Sequence, residues 1–299
     1  MKPAIDLYAH ITQQIITALE NGTPPWVCPW NRDHGSVMPA NLTTGRQYRG
    51  INILLLNLQQ IACGYPVNLW LTYQQACSVG ARVRRGETGT RIVFFKLLER
   101  DDTPQLRPML APARKVIPLL RSFTVFNAAQ VDGLAEQPSQ PPPVDADWSP
   151  VSAAEDLLRT SGARIQHGGS QAFYSPGLDL IQLPPVLAFD SPASYYSTAL
   201  HELTHWTGHA SRCNRLQSSR QHIEAYAFEE LVAEMGSAFL NGHCGMAGAL
   251  HHASYINEWL QALRSDRRLV FSAASLAQKA ADFVLPHEQA PSAEAEVTA

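Results

Sequence analysis

The segment His201-Glu202-Leu203-Thr204-His205 leaves this chain the least conformational freedom. Its two histidines act together only if the backbone between them is helical. Residues i and i+4 then share a face, and both imidazoles reach one Zn²⁺ at about 2.0–2.1 Å. Glu202 stands beside such a metal, where it can take a proton from bound water. The flanks agree, since Ser194 to Gly208 reads as a helix closed by Gly208. Just upstream, Ala172 to Leu183 reads as a β-hairpin turning at Pro176-Gly177, and one of its strands offers an edge for an extended peptide.

A catalytic zinc site wants a third protein ligand and an open position. His209 follows the helix stop, and position 211, where a third histidine would complete HExxHxxGxxH, is Ser211. The stronger candidates lie in the long amphipathic helix read over Ile223 to Leu240. There Glu230 is the expected ligand, Glu229 the alternative, and Glu234 the carboxylate that would hold a ligating histidine from behind. Tyr195, Tyr196, Tyr226 and His222 are candidate donors to an oxyanion. The implied chemistry is metal-assisted amide hydrolysis with Glu202 as general base, on Zn²⁺ or another divalent ion such as Mn²⁺.

Charge divides the chain as sharply as the motif does. Residues 1–128 carry 14 Lys and Arg against 7 Asp and Glu, a net of +7, whereas the remainder nets −10. Such asymmetry points to a nucleic-acid-binding half joined to something else. The basic half reads as a small α+β unit: a helix near Ile5 to Leu19, a second from about Asn52, and short strands near Trp70, at Arg82 to Arg85 turning back through Ile92 to Phe95, and at Arg121 to Phe126. Arg46, Arg49, Arg82, Arg84, Arg85 and Lys96 are candidates to track a phosphate backbone. Trp26, Trp30, Tyr48 and Trp70 are candidates to stack on bases, a combination suited to single strands.

The expected organisation is α+β throughout. A single-stranded-DNA-binding domain spans 1–132, a Pro-rich linker 133–150, a metallopeptidase domain 151–285, and a disordered tail 286–299. Further helices are expected at Val151 to Ser161 and Tyr255 to Arg264. Five cysteines (Cys28, Cys63, Cys77, Cys213, Cys244) without a CxxC pair exclude a tidy disulfide framework and a four-cysteine zinc finger. They point to a reducing cytoplasm. The longest apolar run, Ile51 to Leu58, is too short to span a membrane, and Met1 to Glu20 lacks a secretory signal pattern.

These motif sets together resemble the ArdC-type antirestriction proteins encoded by conjugative plasmids. PWVCPWN (25–31), PANLTTGRQYRGINILLLNL (39–58), WLTYQQA (70–76), GARVRRGETGTRIVFFK (80–96) and FTVFNAAQV (123–131) are similar to the family's single-stranded-DNA-binding domain. YYSTALHELTHWTGH (195–209) and AYAFEELVAEMGSAFL (225–240) resemble its zincin-like metallopeptidase domain, also found in plasmid primase-associated proteins, and the latter segment matches the ExxA[DE] element of Glu-type zincins. The resemblance implies a protein that shields incoming plasmid DNA from host restriction. Its implied metal site is His201, His205 and a Glu of 229–234, its catalytic residue is Glu202, and its partners are single-stranded DNA and a protein of the restriction system. Two other functions stay open at this stage: a DNA-coating protein whose zincin domain is only a scaffold, and a primase accessory factor.

Overall fold

The structure is a computed structural model that describes residues 6–26, 38–100, 115–134, 150–215, 222–246 and 255–286. Most of the expected linker, nearly all of the tail and Trp30 lie outside these residues.

In the basic half, α1 (Leu7–Glu20) starts where the Asp6 carboxylate accepts the Ala9 amide at 3.2 Å. It buries Ile11, Ile15, Ile16 and Leu19 along one stripe. After β1 (Ala40–Asn41) comes α2 (Ile51–Cys63), closed by Gly64 in the left-handed conformation that terminates helices without a Cβ penalty. Next follow β2 (Leu69–Thr72), α3 (Tyr73–Ser78) behind a Thr72/Gln75 capping box, and β3 (Arg82–Val83). The long β4 (Thr90–Arg100) and β5 (Lys115–Asn127) precede β6 (Val131–Asp132). One sheet has the order β1-β2-β5-β4, parallel only between β1 and β2, with Trp70 opposite Asn127 and Ile92 opposite Phe123.

Two sequence expectations need correction here. The strand at Arg82 does not turn back onto the strand at Ile92; β3 pairs with β6, Arg82 opposite Asp132, while β4 pairs with β5. Just before β4 the chain runs close over β5: a Cβ on Gly89 would lie 2.3 Å from Thr124 Cγ2, so a larger residue there would force a shift. Second, Trp26 and Trp70 are core residues with no face available to a base. Trp70 is fully buried and donates its indole N–H to Asn68 at 2.8 Å. Trp26 packs edge-on to Trp259 with ring centroids 5.6 Å apart. Burial of so large an apolar surface outweighs any service as a stacking platform.

In the acidic half, α4 (Pro150–Ser161) leads to a three-stranded sheet of order β7-β9-β8. Its strands are β7 (Ile165–His167), β8 (Phe173–Ser175) and β9 (Leu180–Leu183), and β8 and β9 form the expected hairpin. Then come α5 (Pro192–Thr207), which carries the HExxH segment, α6 (His222–His243), α7 (Ile256–Ser265) and α8 (Leu269–Val284). Sequence reading missed α8, whose buried stripe is mainly alanine: Ala273, Ala274, Ala277, Ala280 and Ala281. The helical spacing of those alanines was the available signal.

The two halves share one apolar core. Ile15, Leu19, Trp26 and Leu54 belong to the same cluster as Leu200, Leu203, Leu231, Met235, Val270 and Ala274. Polar contacts stitch the seam. Arg49 forks onto the Asp282 carboxylate at 2.5 and 2.6 Å, and the Gly50 amide donates to Gln278 Oε1 at 2.8 Å. The Thr12 hydroxyl donates to the Arg267 carbonyl at 2.7 Å.

Candidate metal centre

Helix α5 is started by the Ser191 hydroxyl, which accepts the Ser194 amide at 3.1 Å, and by Pro192 in the first turn. It ends at Gly208. Between these stops His201 and His205 fall one turn apart on the face turned to α6. The helices approach closely where α6 presents Gly236: a Cβ there would sit 2.5 Å from Thr204 Cγ2. Further along the same pair of helices Glu230 faces both histidines.

The result is a triangle of ligand atoms. Nε2 of His201 and Nε2 of His205 are 3.2 Å apart; the Glu230 carboxylate oxygens lie 3.4 Å from the first and 3.5 Å from the second. Ligands about 2.0–2.1 Å from a tetrahedral ion are separated by about 3.3–3.4 Å. The histidine pair matches that spacing, as does the approach of each histidine to one Glu230 oxygen, Oε2 beside His201 and Oε1 beside His205. Among the described residues this is the one group of three such side chains able to hold a metal ion.

The surroundings fix the histidine tautomer. His205 Nδ1 is 3.2 Å from Glu229 Oε1, an acceptor that holds a proton on Nδ1, so the nitrogen turned to His201 and Glu230, and open to a metal once its own proton leaves, is Nε2. Burial works against charge on His205, yet the Glu229 and Glu230 carboxylates outweigh it and lift the imidazole to about 10. Burial likewise disfavours the Glu230 carboxylate, but its bonds to His201 and then His205 hold it well below the usual range. Glu229 is also held low against burial, by His205 and Arg215. A cation in the triangle takes over the role of the proton that the two carboxylates otherwise retain on His205.

Of the three carboxylates, Glu230 is the one that lies against Nε2 of both histidines, and Glu229 lies behind His205 at Nδ1. Glu234 is buried one turn further along α6. Glu202, also buried, occupies the α5 position following His201, as the motif requires. Sequence reasoning missed Arg215, which is buried just after α5. Its guanidinium meets the Glu229 carboxylate at 2.9–3.1 Å, donates to Thr207 Oγ1 at 2.6 Å and to the Thr204 carbonyl. A lone Arg nine residues beyond the motif carries no sequence pattern that would have marked it.

The oxyanion candidates separate. Tyr195 is buried and its hydroxyl bonds His167 Nε2 at 2.9 Å, while the Tyr196 hydroxyl donates to Glu155 at 2.9 Å, so both are committed away from the triangle. The His222 side chain lies outside the described residues. Tyr226 remains: its ring is half exposed, and burial of the hydroxyl, the Glu230 charge and a bond to Tyr255 push its pKa up. Its hydroxyl is bonded to Tyr255 and Glu230, which places it beside the His201, His205 and Glu230 cluster.

The nucleic-acid candidates are scattered by comparison. Arg49 is engaged with Asp282, and Arg84 with Glu87 at 2.7 Å and Asp132 at 3.6 Å. Arg46 and Tyr48 are half-buried around the turn that Asn41 organises, and Tyr48 packs against the Trp70 cluster. Arg82 and Arg85 are exposed and make no ion pair among the described residues. Lys96 sits in β4, with its side chain outside those described. The structure adds exposed groups that sequence reading did not single out: Arg91, Arg121, and Tyr73 on α3, which packs against β3. No helix among the described residues is long and apolar enough to cross a membrane.

Comparison with known proteins assigns the halves. Residues 5–126 match the family described as the N-terminal domain of anti-restriction factor ArdC, and 152–276 the family described as zincin-like metallopeptidase. The crystal structure of the metal-free antirestriction protein ArdC from plasmid R388 is 41% identical, covers 94% of this chain and 97% of its own, and superposes with a TM-score of 0.78. The Mn(II)-bound structure of the same protein is 40% identical, with the same coverage and a TM-score of 0.75. The DNA primase TraC of Escherichia coli is 41% identical over 94% of this chain, which spans only 27% of that primase's length. The uncharacterized protein y4eC of Sinorhizobium fredii is 39% identical over 93% of this chain and 91% of its own. Relatives matched almost end to end, with both family models in the same order, establish that this chain belongs to the ArdC antirestriction family.

Proposed function

We propose that this chain is an antirestriction factor that binds single-stranded DNA through its basic half and works as a divalent-metal peptidase, on Zn²⁺ or Mn²⁺, through its acidic half. The observation that carries the reading is the triangle of His201, His205 and Glu230, whose edges of 3.2–3.5 Å suit one small cation. The Mn(II)-bound state of the R388 protein supports a divalent ion of this kind. When bound there, such an ion acidifies a water and polarises a carbonyl. Glu202 takes the water's proton and passes it to the leaving amine. Tyr226 donates its hydroxyl proton in a hydrogen bond to the developing oxyanion. The free edge of β8 lies on the hairpin leading to α5 and offers backbone pairing to an extended peptide. The protein substrate belongs to the host restriction system, and the setting is the recipient cytoplasm.

The DNA reading rests on the charge asymmetry and on the exposed Arg82 and Arg85. Aromatic stacking passes from Trp26 and Trp70 to Tyr48 and Tyr73. Elemental analysis of the purified chain tests the metal: near-stoichiometric Zn²⁺ or Mn²⁺ is expected, lost in His205→Ala and Glu230→Ala. Absence of metal from wild type after add-back overturns the peptidase reading. Plasmid protection by Glu202→Ala equal to wild type would instead establish the acidic half as a scaffold. For DNA, the logarithm of affinity is expected to fall with the logarithm of salt at about −0.7 per phosphate contacted; a flat response overturns single-strand binding.

A further inference from the structure

Glu229 and Glu230 are adjacent on one helix, and both are carboxylates within reach of histidine nitrogens. Something must decide that one becomes ligand and the other support. We infer that Arg215 makes this decision: it is a positioning residue that captures Glu229, holds it on His205 Nδ1 and keeps it off the metal. This rests on the metal-centre reading above.

Three observations carry the inference. The Arg215 guanidinium spans both oxygens of Glu229, at 3.0 Å and 3.1 Å from Nε, so neither oxygen is free to swing inward. The same Glu229 Oε1 that Arg215 holds is the atom 3.2 Å from His205 Nδ1, making a relay Arg215–Glu229–His205. Arg215 is itself fixed by the C-terminal turn of α5, through Thr207 Oγ1 at 2.6 Å and the Thr204 carbonyl. It therefore references α6's carboxylate to the turn of α5 that contains His205. The Arg215 side chain is 4% exposed, and a planar fork with several donors is the one side chain that can meet a carboxylate, a hydroxyl and a carbonyl from a single buried position. Its charge also balances the Glu229 carboxylate.

The test titrates metal-stripped full-length protein with Zn²⁺ against a chromogenic chelator, for wild type, Arg215→Met, Glu229→Gln and the double variant. Each single variant is expected to weaken binding by about 10–100-fold, the usual cost of losing an outer partner of a ligand. The double variant is expected to lose no more than the worse single, because Arg215 acts through Glu229. Co²⁺-loaded Arg215→Met should show an altered visible spectrum, since its ligand set changes. Affinity within about twofold of wild type for Arg215→Met, or independent losses in the double variant, overturns the relay. If Arg215→Met does not fold, Arg215→Lys replaces it. Lysine keeps the charge but cannot span the same partners, so a loss that vanishes in the Glu229→Gln background is expected, and wild-type affinity overturns the inference. Failure of wild type to bind Zn²⁺ would refute the metal centre; normal wild-type binding with a silent Arg215 refutes only the relay.

Discussion

The metal centre and the basic surface differ in how each residue is held. At the centre, the histidines, Glu229, Glu230 and Arg215 are buried or nearly so and meet partners at fixed distances: His205 to Glu229, Glu229 to Arg215, both histidines to Glu230. On the basic surface the arginines are exposed, two of the named ones are engaged by carboxylates, and the best aromatics have gone into the core. Reactive geometry needs groups fixed to fractions of an ångström, which only packing supplies. Phosphate tracking tolerates mobile charges, because a long-range attraction needs little orientation.

That contrast can be broken by experiment, the largest expected effect first. Glu202→Gln should leave metal content unchanged while lowering peptide hydrolysis by about 10²–10⁴-fold; retained hydrolysis with bound metal would remove Glu202 from its role. Trp70→Ala should cost about 3–5 kcal/mol of stability by chemical denaturation, as loss of a large core side chain does. Its single-strand affinity should stay unchanged under conditions where it is folded. Loss of DNA affinity without loss of stability would return Trp70 to the binding surface. Gly236→Ala should cost about 1–3 kcal/mol, because the new methyl group meets Thr204 where α5 and α6 touch. Its metal affinity should fall in parallel, since the same contact sets the distance between the two ligand-bearing helices. Arg82→Glu combined with Arg85→Glu should weaken single-strand binding and flatten its salt dependence by about 0.7 per lost phosphate contact, with the metal titration unmoved.

The smallest effect concerns the hairpin beside α5. Asp179 is held down to about 2, foremost by its hydrogen bonds from Arg212, which also lies 3.9 Å over the Trp206 ring. A carboxylate depressed in the folded state adds stability above its ordinary pKa and loses it as pH falls through the depressed value. Asp179→Asn should therefore lower the melting temperature slightly at pH 6 and cease to differ from wild type near pH 2. The carboxylate is 42% exposed, so solvent screening keeps the difference small.

Much of the acidic half was legible in the sequence. The i and i+4 spacing of His201 and His205, the stop at Gly208 and the existence of the hairpin are local, and local geometry follows from a few residues; the turn itself runs over 176–179 with Asp179, not Gly177, left-handed. Glu230 was reachable because an amphipathic helix is a periodic pattern. Between Glu229 and Glu230 the sequence favoured the carboxylate that the fold brings to both histidines, but it offered Glu234 as the carboxylate behind a histidine. For His205 that place is filled by Glu229, which Arg215 reaches from beyond the end of α5.

What the sequence determined by itself was therefore whatever rests on composition or on spacing along one element: the two-histidine face, the mixed helix and sheet class, the charge division and the family. Tertiary structure alone decided which strand Arg82 joins, that Trp26 and Trp70 are core, that the halves share an apolar cluster despite the prolines between them, and that Arg215 bonds the carboxylate behind His205. Each of these depends on residues far apart in sequence meeting in a close-packed interior. There the fit of one side chain against another, and not its place along the chain, sets what it can do.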